Sequence, residues 1–278
     1  MTPLASDRGA SEAVLRVEAL TILSSAHTIV RDLSFTLHAG ERLGIVGESG
    51  SGKTMTAYAI AGLLPPDIRV SAGVIELQGR SLLDCVKSDR RAMAGKRIGM
   101  VLQDRRSSFN PVRTIGSMLI ESAMRHRGLS RAAARPVAIE ALLSVHLRDA
   151  HALVDAYPHQ LSGGQLQRAM IALARLNDPV LLIADEPTTA LDPLVQLQVL
   201  ALLDAMSANR ALLLITHDLH VAATLCDRLL VMHRGECIEQ GPTHRVMDRP
   251  QHEYTQQWLA AARSLNAPPT SLRSVANL

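Results

Sequence analysis

Gly47-Glu48-Ser49-Gly50-Ser51-Gly52-Lys53-Thr54 decides how the rest of the chain is read. The octet fits G-x-x-x-x-G-K-[ST], a loop whose glycines turn successive backbone N–H groups inward onto phosphate oxygens. An apolar run, Leu43 to Val46, precedes it, and Met55 to Leu64 reads as a helix behind it. That strand–loop–helix order adds the partial positive charge of a helix N-terminus to the same spot. In such a loop Lys53 reaches the β- and γ-phosphates of a nucleotide, and the Thr54 hydroxyl holds Mg2+.

Outward from the loop, strands and helical stretches alternate. Val14 to Leu20, Ile29 to Leu37, Arg42 to Val46, Gly73 to Leu77 and Arg97 to Leu102 read as strands. Thr114 to about Ala156 carries a helical pattern, with Ser130 as an N-cap and Ile139, Leu142, Leu143 and His146 or Leu147 on one apolar face. Leu161-Ser162-Gly163-Gly164-Gln165 opens another helix, with Leu166, Met170 and Leu173 on one side. Val180 to Ala184 is a short apolar run that reads as a buried parallel strand. A helix over Leu194 to Met206 and strands over Ala211 to Ile215, Arg228 to Met232 and Glu236 to Gln240 follow. The alternation predicts an α/β fold with a mainly parallel, helix-covered sheet and an inserted helical subdomain.

Several chemically apt residues fall at strand ends, where α/β folds place ligands. Asp185 ends its strand, and its carboxylate suits a hold on Mg2+. Glu186 follows and suits the orientation of an attacking water. His217 falls in Thr216-His217-Asp218 at the end of the strand Ala211 to Ile215, in position to sense a γ-phosphate and that water. Gln103 ends the strand before the helical insertion and suits a bond to Mg2+ or to the water. Ser162-Gly163-Gly164-Gln165 puts a hydroxyl, glycine N–H groups and a helix N-terminus at one place, a second anion site. A chain with two such elements suits a two-fold dimer in which each copy's second element caps the nucleotide of the other.

Composition narrows the alternatives. Hydrophobic residues make up 47% of the chain but aromatics only 2%, so the core must be built from Leu, Ile, Val, Met and Ala. Net charge is +3 and Lys53, Lys87 and Lys96 are the only lysines. The arginines are scattered with no interleaved aromatics, which argues against nucleic acid as a partner. No apolar run approaches the roughly 20 residues of a membrane helix, and Met1 to Ala13 lacks a signal-peptide core. Cys85, Cys226 and Cys237 form no disulfide framework, and Cys226, His233, Cys237 and His244 match no metal-ligand spacing.

Gly47 to Thr54, Gln103, Leu161 to Gln165, Asp185-Glu186, Ala190-Leu191-Asp192 and His217 together resemble the motif set of an ABC-transporter ATPase subunit. The likeness runs from about Val14 to Trp258. It implies a P-loop NTPase with a RecA-like, mainly parallel core, an N-terminal antiparallel β subdomain and a helical subdomain at about 104–176. Residues 14–258 would form the ATPase domain, with flexible termini at 1–13 and 259–278. It implies ATP and Mg2+ as cofactors, with Asp192 joining the nucleotide site. The partners implied are a second ATPase subunit, related or identical, paired head to tail, two inner-membrane permeases and, indirectly, an extracytoplasmic solute-binding protein. The subunit would sit peripherally on the cytoplasmic face of the inner membrane.

Ser108-Phe109-Asn110-Pro111, Ala184 to Asp192 and Pro250-Gln251-His252-Glu253-Tyr254-Thr255 further resemble the dipeptide/oligopeptide/nickel importer branch. The absence of cysteine beyond Cys237, where peptide members often carry a cysteine-bearing extension, tilts the expectation toward nickel or a metallophore, with peptide import as the alternative. A soluble ABC ATPase acting on ribosomes or DNA is a further alternative, but no second cassette is present in the sequence. Two positions depart from the family pattern. Ser24-Ser25-Ala26-His27 lacks the aromatic that would stack on adenine, and Arg105-Arg106 stand where proline is usual. The arginines either meet an acidic patch on the membrane partner or are solvated.

Overall fold

Among the residues described by the computed structural model, 13–105 and 108–266, six strands form the central sheet. Their order is β10 (Glu236–Pro242), β9 (Arg228–His233), β3 (Arg42–Gly47), β8 (Ala211–Thr216), β7 (Leu181–Asp185) and β6 (Ile98–Val101). All neighbours pair in parallel except β10, which runs antiparallel to β9 through the Arg234-Gly235 turn. β7 and β8 are buried along their whole length, as near-continuous Leu/Ile/Ala runs require.

Side chains of successive strand residues point to opposite faces, and the two faces carry two cores. Leu181, Ile183, Leu213 and Ile215 pack on one side with the antiparallel sheet and with helix α1 (Lys53–Ala61). Leu182, Ala184, Leu212 and Leu214 pack on the other with the remaining helices. A one-residue slip of β7 would exchange these faces, so its register is strongly fixed.

The antiparallel sheet has the order β2 (Thr28–His38), β1 (Ala13–Leu23), β4 (Arg69–Leu77) and β5 (Arg80–Ser81). β1 outruns the expected end at Leu20 because its alternation changes phase. Leu15 and Val17 are buried, then Leu20 and Ile22, with a register shift between Val17 and Leu20 and Ala19 at φ 47°. The bulge hides the second half of the strand from a period-two pattern. β4 likewise begins at Arg69, not at Gly73, across a register shift opposite β1. Ser81 to Gly95 contains α2 (Lys87–Met93).

The helical region comprises α3 (Ile115–Arg127), α4 (Arg131–Ser144), a short α5 (Ala150–Leu153) and α6 (Gly163–Arg175). Ser130 caps α4 by accepting from the N–H of Ala133 at 3.3 Å. Its buried stripe is Ala134, Ala138 and Leu142, whereas Leu143 is 45% exposed, a correction to the expected face. The cause is that α4 packs through small residues, which places Leu143 one step round the helix from the stripe. Leu166 and Met170 of α6 are buried, and Met170 Sδ accepts from the N–H of Leu102 at 3.1 Å, tying α6 to the end of β6.

After β7 come α7 (Pro193–Ser207), α8 (Leu219–Leu225), α9 (Thr243–Asp248) and α10 (Glu253–Asn266). α10 continues eight residues past Trp258, with Leu259 buried, so the segment after Trp258 starts as helix. Of the termini expected to be flexible, 1–13 and 259–278, residues 1–12 and 267–278 lie outside the described residues. No helix among the described residues is long and apolar enough to cross a membrane.

Candidate active site

β3 delivers the chain to the phosphate loop at Gly47, whose φ is 151° and where a Cβ would lie 2.1 Å from the Met232 carbonyl oxygen of β9. Gly52, at φ 101°, passes close to β2, with an added Cβ 2.9 Å from the Ile29 carbonyl oxygen. Only glycine fits between these strands with those dihedrals. α1 starts at Lys53 with no side-chain cap, so the N–H groups of its first turn remain available to an anion.

Lys53 is 6% exposed, and its Nζ donates to the carbonyl oxygens of Gly47 and Glu48, each at 2.8 Å. Burial lowers its pKa, against the pull of Glu186, Asp185 and Glu48. The ammonium is thus held inside the loop by two neutral acceptors that phosphate oxygens would displace.

Asp185 is fully buried at the end of β7. Its Oδ1 accepts from the Thr54 hydroxyl at 3.1 Å, and its Oδ2 is buried with no hydrogen-bond partner. Burial raises its pKa to about 6; Glu186 adds to the rise, while the Thr54 bond and Lys53 oppose it. An unsatisfied carboxylate oxygen beside a threonine hydroxyl is a hard-oxygen pair of the kind Mg2+ takes.

Glu186 leaves the strand in a left-handed conformation, φ 48°, while its N–H still bonds the Ile215 carbonyl at 2.8 Å. A non-glycine residue in that region costs on the order of 1 kcal/mol. The conformation aims the carboxylate across to the end of β8. There Oε1 accepts from the His217 backbone N–H at 3.0 Å and lies 2.7 Å from His217 Nδ1. Oε2 accepts from the hydroxyls of Thr189 at 3.1 Å and Thr216 at 3.4 Å. The Glu186 side chain is 9% exposed and that of His217 is 56% exposed, so the pair joins the interior to the surface. Sequence reasoning missed both threonines; a threonine at a strand end carried no signal of which carboxylate it would meet.

The remaining expected site residues stand apart from this cluster. Gln103 is exposed just beyond β6, whose last residue, Val101, pairs with Ala184 beside Asp185. Ser162 and Gln165 form a reciprocal cap at the start of α6. The Gln165 N–H donates to Ser162 Oγ at 3.3 Å, and the Ser162 N–H donates to Gln165 Oε1 at 2.9 Å. A Cβ on Gly163 would meet open space, whereas one on Gly164 would lie 3.0 Å from Val195 of α7. Asp192 caps α7 through the Val195 N–H at 3.0 Å, ahead of Pro193. Among the described residues no hydrogen bond joins Ser162, Gln165 or Asp192 to the phosphate loop.

Arg105 is part-buried and its Nη2 donates to the Ala190 carbonyl at 3.4 Å, so it binds the turn after Glu186 within its own chain. Arg106 lies outside the described residues. His27 is exposed in a turn closed by Ser24, whose Oγ lies 3.3 Å from His27 Nδ1.

A family model described as ABC transporter matches residues 30–189. The oligopeptide transport ATP-binding protein OppD of Salmonella typhimurium is 42% identical over 250 residues, covering 89% of this chain and 74% of that protein. The chain belongs to the ABC transporter family.

The dipeptide transport ATP-binding protein DppD of Escherichia coli is 41% identical over 255 residues, covering 90% of this chain and 78% of that protein. Among solved structures, the dimeric post-hydrolysis state of the ATP-binding cassette MJ0796 bound to ADP and Pi aligns with a TM-score of 0.73. It is 25% identical and covers 82% of this chain and 98% of that one. This ABC chain is an ATP-binding, ATP-hydrolysing cassette. The expected tilt toward nickel or a metallophore is not supported, because the two reported transport relatives are named for peptides. That tilt rested on the lack of cysteine beyond Cys237.

Proposed function

We propose that this chain is the ATPase subunit of an importer of dipeptides or oligopeptides. The 42% and 41% identities to the two peptide-import subunits carry the reading, joined to a complete phosphate-loop and strand-end constellation.

The phosphate loop and Lys53 bind the β- and γ-phosphates of ATP, Lys53 exchanging the Gly47 and Glu48 carbonyls for phosphate oxygens. Thr54 and Asp185 would hold Mg2+, with Gln103 reaching in from the end of β6; the open Asp185 oxygen supports this assignment. The ion, when bound, supplies positive charge to the phosphate oxygens. Glu186 orients the attacking water and accepts its proton, held in place by His217, Thr189 and Thr216. Gly47, Glu48, Ser49, Gly50, Ser51 and Gly52 supply the loop backbone around the phosphates.

Two chains pair head to tail, so that Ser162, Gly163, Gly164 and Gln165, with Asp192, close over the partner's ATP. The open space at Gly163, at the start of α6, supports this role. The subunit sits peripherally on a membrane, coupled to two permeases and through them to a solute-binding protein. A groove of about 340 Å3 lined by Ala61, Leu63, Ile98, Met100, Met118 and His126 supports docking of a permease helix.

The test is uptake of a labelled dipeptide, a labelled oligopeptide and radiolabelled nickel in cells carrying the native chain or Glu186→Gln. Loss of peptide uptake alone supports the reading. Loss of nickel uptake with intact peptide uptake overturns it.

A further inference from the structure

Arg105 spans from one strand end to the turn beyond another. It lies just past β6, which pairs in parallel with β7, Val101 opposite Ala184. Its guanidinium reaches the turn that follows Glu186, where Nη2 donates to the Ala190 carbonyl at 3.4 Å. Among the described residues no other hydrogen-bond donor meets that carbonyl.

The turn itself is held by few bonds. The Thr189 N–H donates to the Glu186 carbonyl and the Leu191 N–H to the Thr188 carbonyl, each at 3.3 Å. Ala190 sits at φ 57°, a left-handed conformation that an alanine adopts only at a cost. Such a conformation persists where the surrounding structure holds it. Its shape matters because Thr189, next in the chain, donates its hydroxyl to Glu186 Oε2 at 3.1 Å. The other hydroxyl on that oxygen, from Thr216, stands farther off at 3.4 Å.

The arginine gains little from this placement. Its Nη1 is buried with no hydrogen-bond partner. A buried donor left unpaired is destabilising, and an apolar side chain of similar length would avoid that cost. Stability therefore explains Arg105 poorly, whereas the turn it holds explains it well.

We propose that Arg105 is a positioning residue for Glu186. It fixes the Ala190 turn, the turn fixes the Thr189 hydroxyl, and the hydroxyl fixes the carboxylate that orients the attacking water. This rests on the role proposed above for Glu186. Arg105 acts through Thr189 and not by contact with the reacting atoms.

The experiment compares the native protein, Arg105→Met, Thr189→Val, the double variant and Glu186→Gln. Turnover is measured in the assembled transporter, and Mg-ATP affinity and thermal melting on the full chain. Arg105→Met keeps a long side chain and removes the donors. The expected result is turnover lowered about three- to tenfold in Arg105→Met, the worth of about one hydrogen bond. Its Mg-ATP affinity is expected to match native, and its melting temperature to be unchanged or raised. The double variant is expected to turn over no more slowly than Thr189→Val alone. Native turnover in either single variant, additive losses in the double variant, affinity falling in step with turnover, or a lowered melting temperature in Arg105→Met would each overturn the proposal. Lost turnover in Glu186→Gln beside native turnover in Arg105→Met defeats this proposal alone. Native turnover in Glu186→Gln defeats the reading of Glu186 and this proposal with it.

Discussion

Oε1 of Glu186 lies 2.7 Å from Nδ1 of His217 and accepts from the His217 backbone N–H at 3.0 Å, across the ends of two neighbouring strands. Asp185 pairs in register with Ile215, so the residues that follow each strand meet by construction. The imidazole fixes the carboxylate from the solvent side while Thr189 and Thr216 hold it from within. His217→Ala is therefore expected to lower ATP turnover by about 100-fold, the low end for losing one positioned acid–base partner. ATP binding should change little. Steady-state turnover of the assembled transporter, beside nucleotide affinity, checks this; equal losses in both would make His217 a binding residue instead.

Lys53→Ala removes the buried ammonium that two loop carbonyls and three nearby acids surround. Mg-ATP affinity is expected to fall by at least about 100-fold, since charge-assisted bonds to phosphate are lost from a desolvated site. Calorimetric titration of the full chain reads this directly. A variant binding within a fewfold of native would remove Lys53 from the phosphate site.

Asp185 gives a pH dependence with a definite sign. Its pKa stands at about 6 against an ordinary 3.8, so between these values the folded chain holds a proton that the unfolded chain has lost. Its contribution to stability therefore falls as pH rises through that window and is most unfavourable above pH 6. Asp185→Asn should stabilise the nucleotide-free chain by about 3 kcal/mol at pH 7.5 and by little at pH 4, while weakening Mg2+-dependent ATP binding. Thermal melts at the two pH values decide it, and a variant less stable than native at pH 7.5 would contradict it.

Ser162→Ala separates a structural cap from a functional one. Loss of the Ser162–Gln165 cap should cost about 1 kcal/mol of stability. If this helix start also closes over a partner's ATP, turnover should fall far more than the melting point implies. Turnover reduced only in step with stability would confine Ser162 to capping α6.

Much of this was legible because the chemistry is local. The phosphate loop, the Asp185-Glu186 pair and the helix start at Ser162 to Gln165 each lie within a few residues, and their spacing carries their geometry. The Glu186–His217 bond could be placed only as two strand ends, since strand order sets which ends adjoin. A bulge at Ala19, with positive φ, concealed the end of β1, whereas β2 was legible to within a residue at each end despite the positive φ of Asp32. α8 escaped notice because seven residues are too few to show a helical period. Arg105 was left between a partner surface and solvent, yet it reaches the Ala190 carbonyl, a backbone atom that no residue pattern marks. Tyr254 stood out only as part of a family-like stretch; its stacking on His233 depends on how α10 folds back against β9.

The most direct measurement is the fate of ATP in Glu186→Gln, in the assembled transporter with Mg2+ present. Glutamine keeps the shape of the side chain and some of its bonds to Thr189, Thr216 and His217, but it cannot take a proton from water. The expected result is Mg-ATP binding close to native, turnover reduced at least about 100-fold, and a two-chain dimer that retains intact ATP. Turnover at the native rate would show that another group positions and deprotonates the water, and would remove Glu186 from the centre of the mechanism.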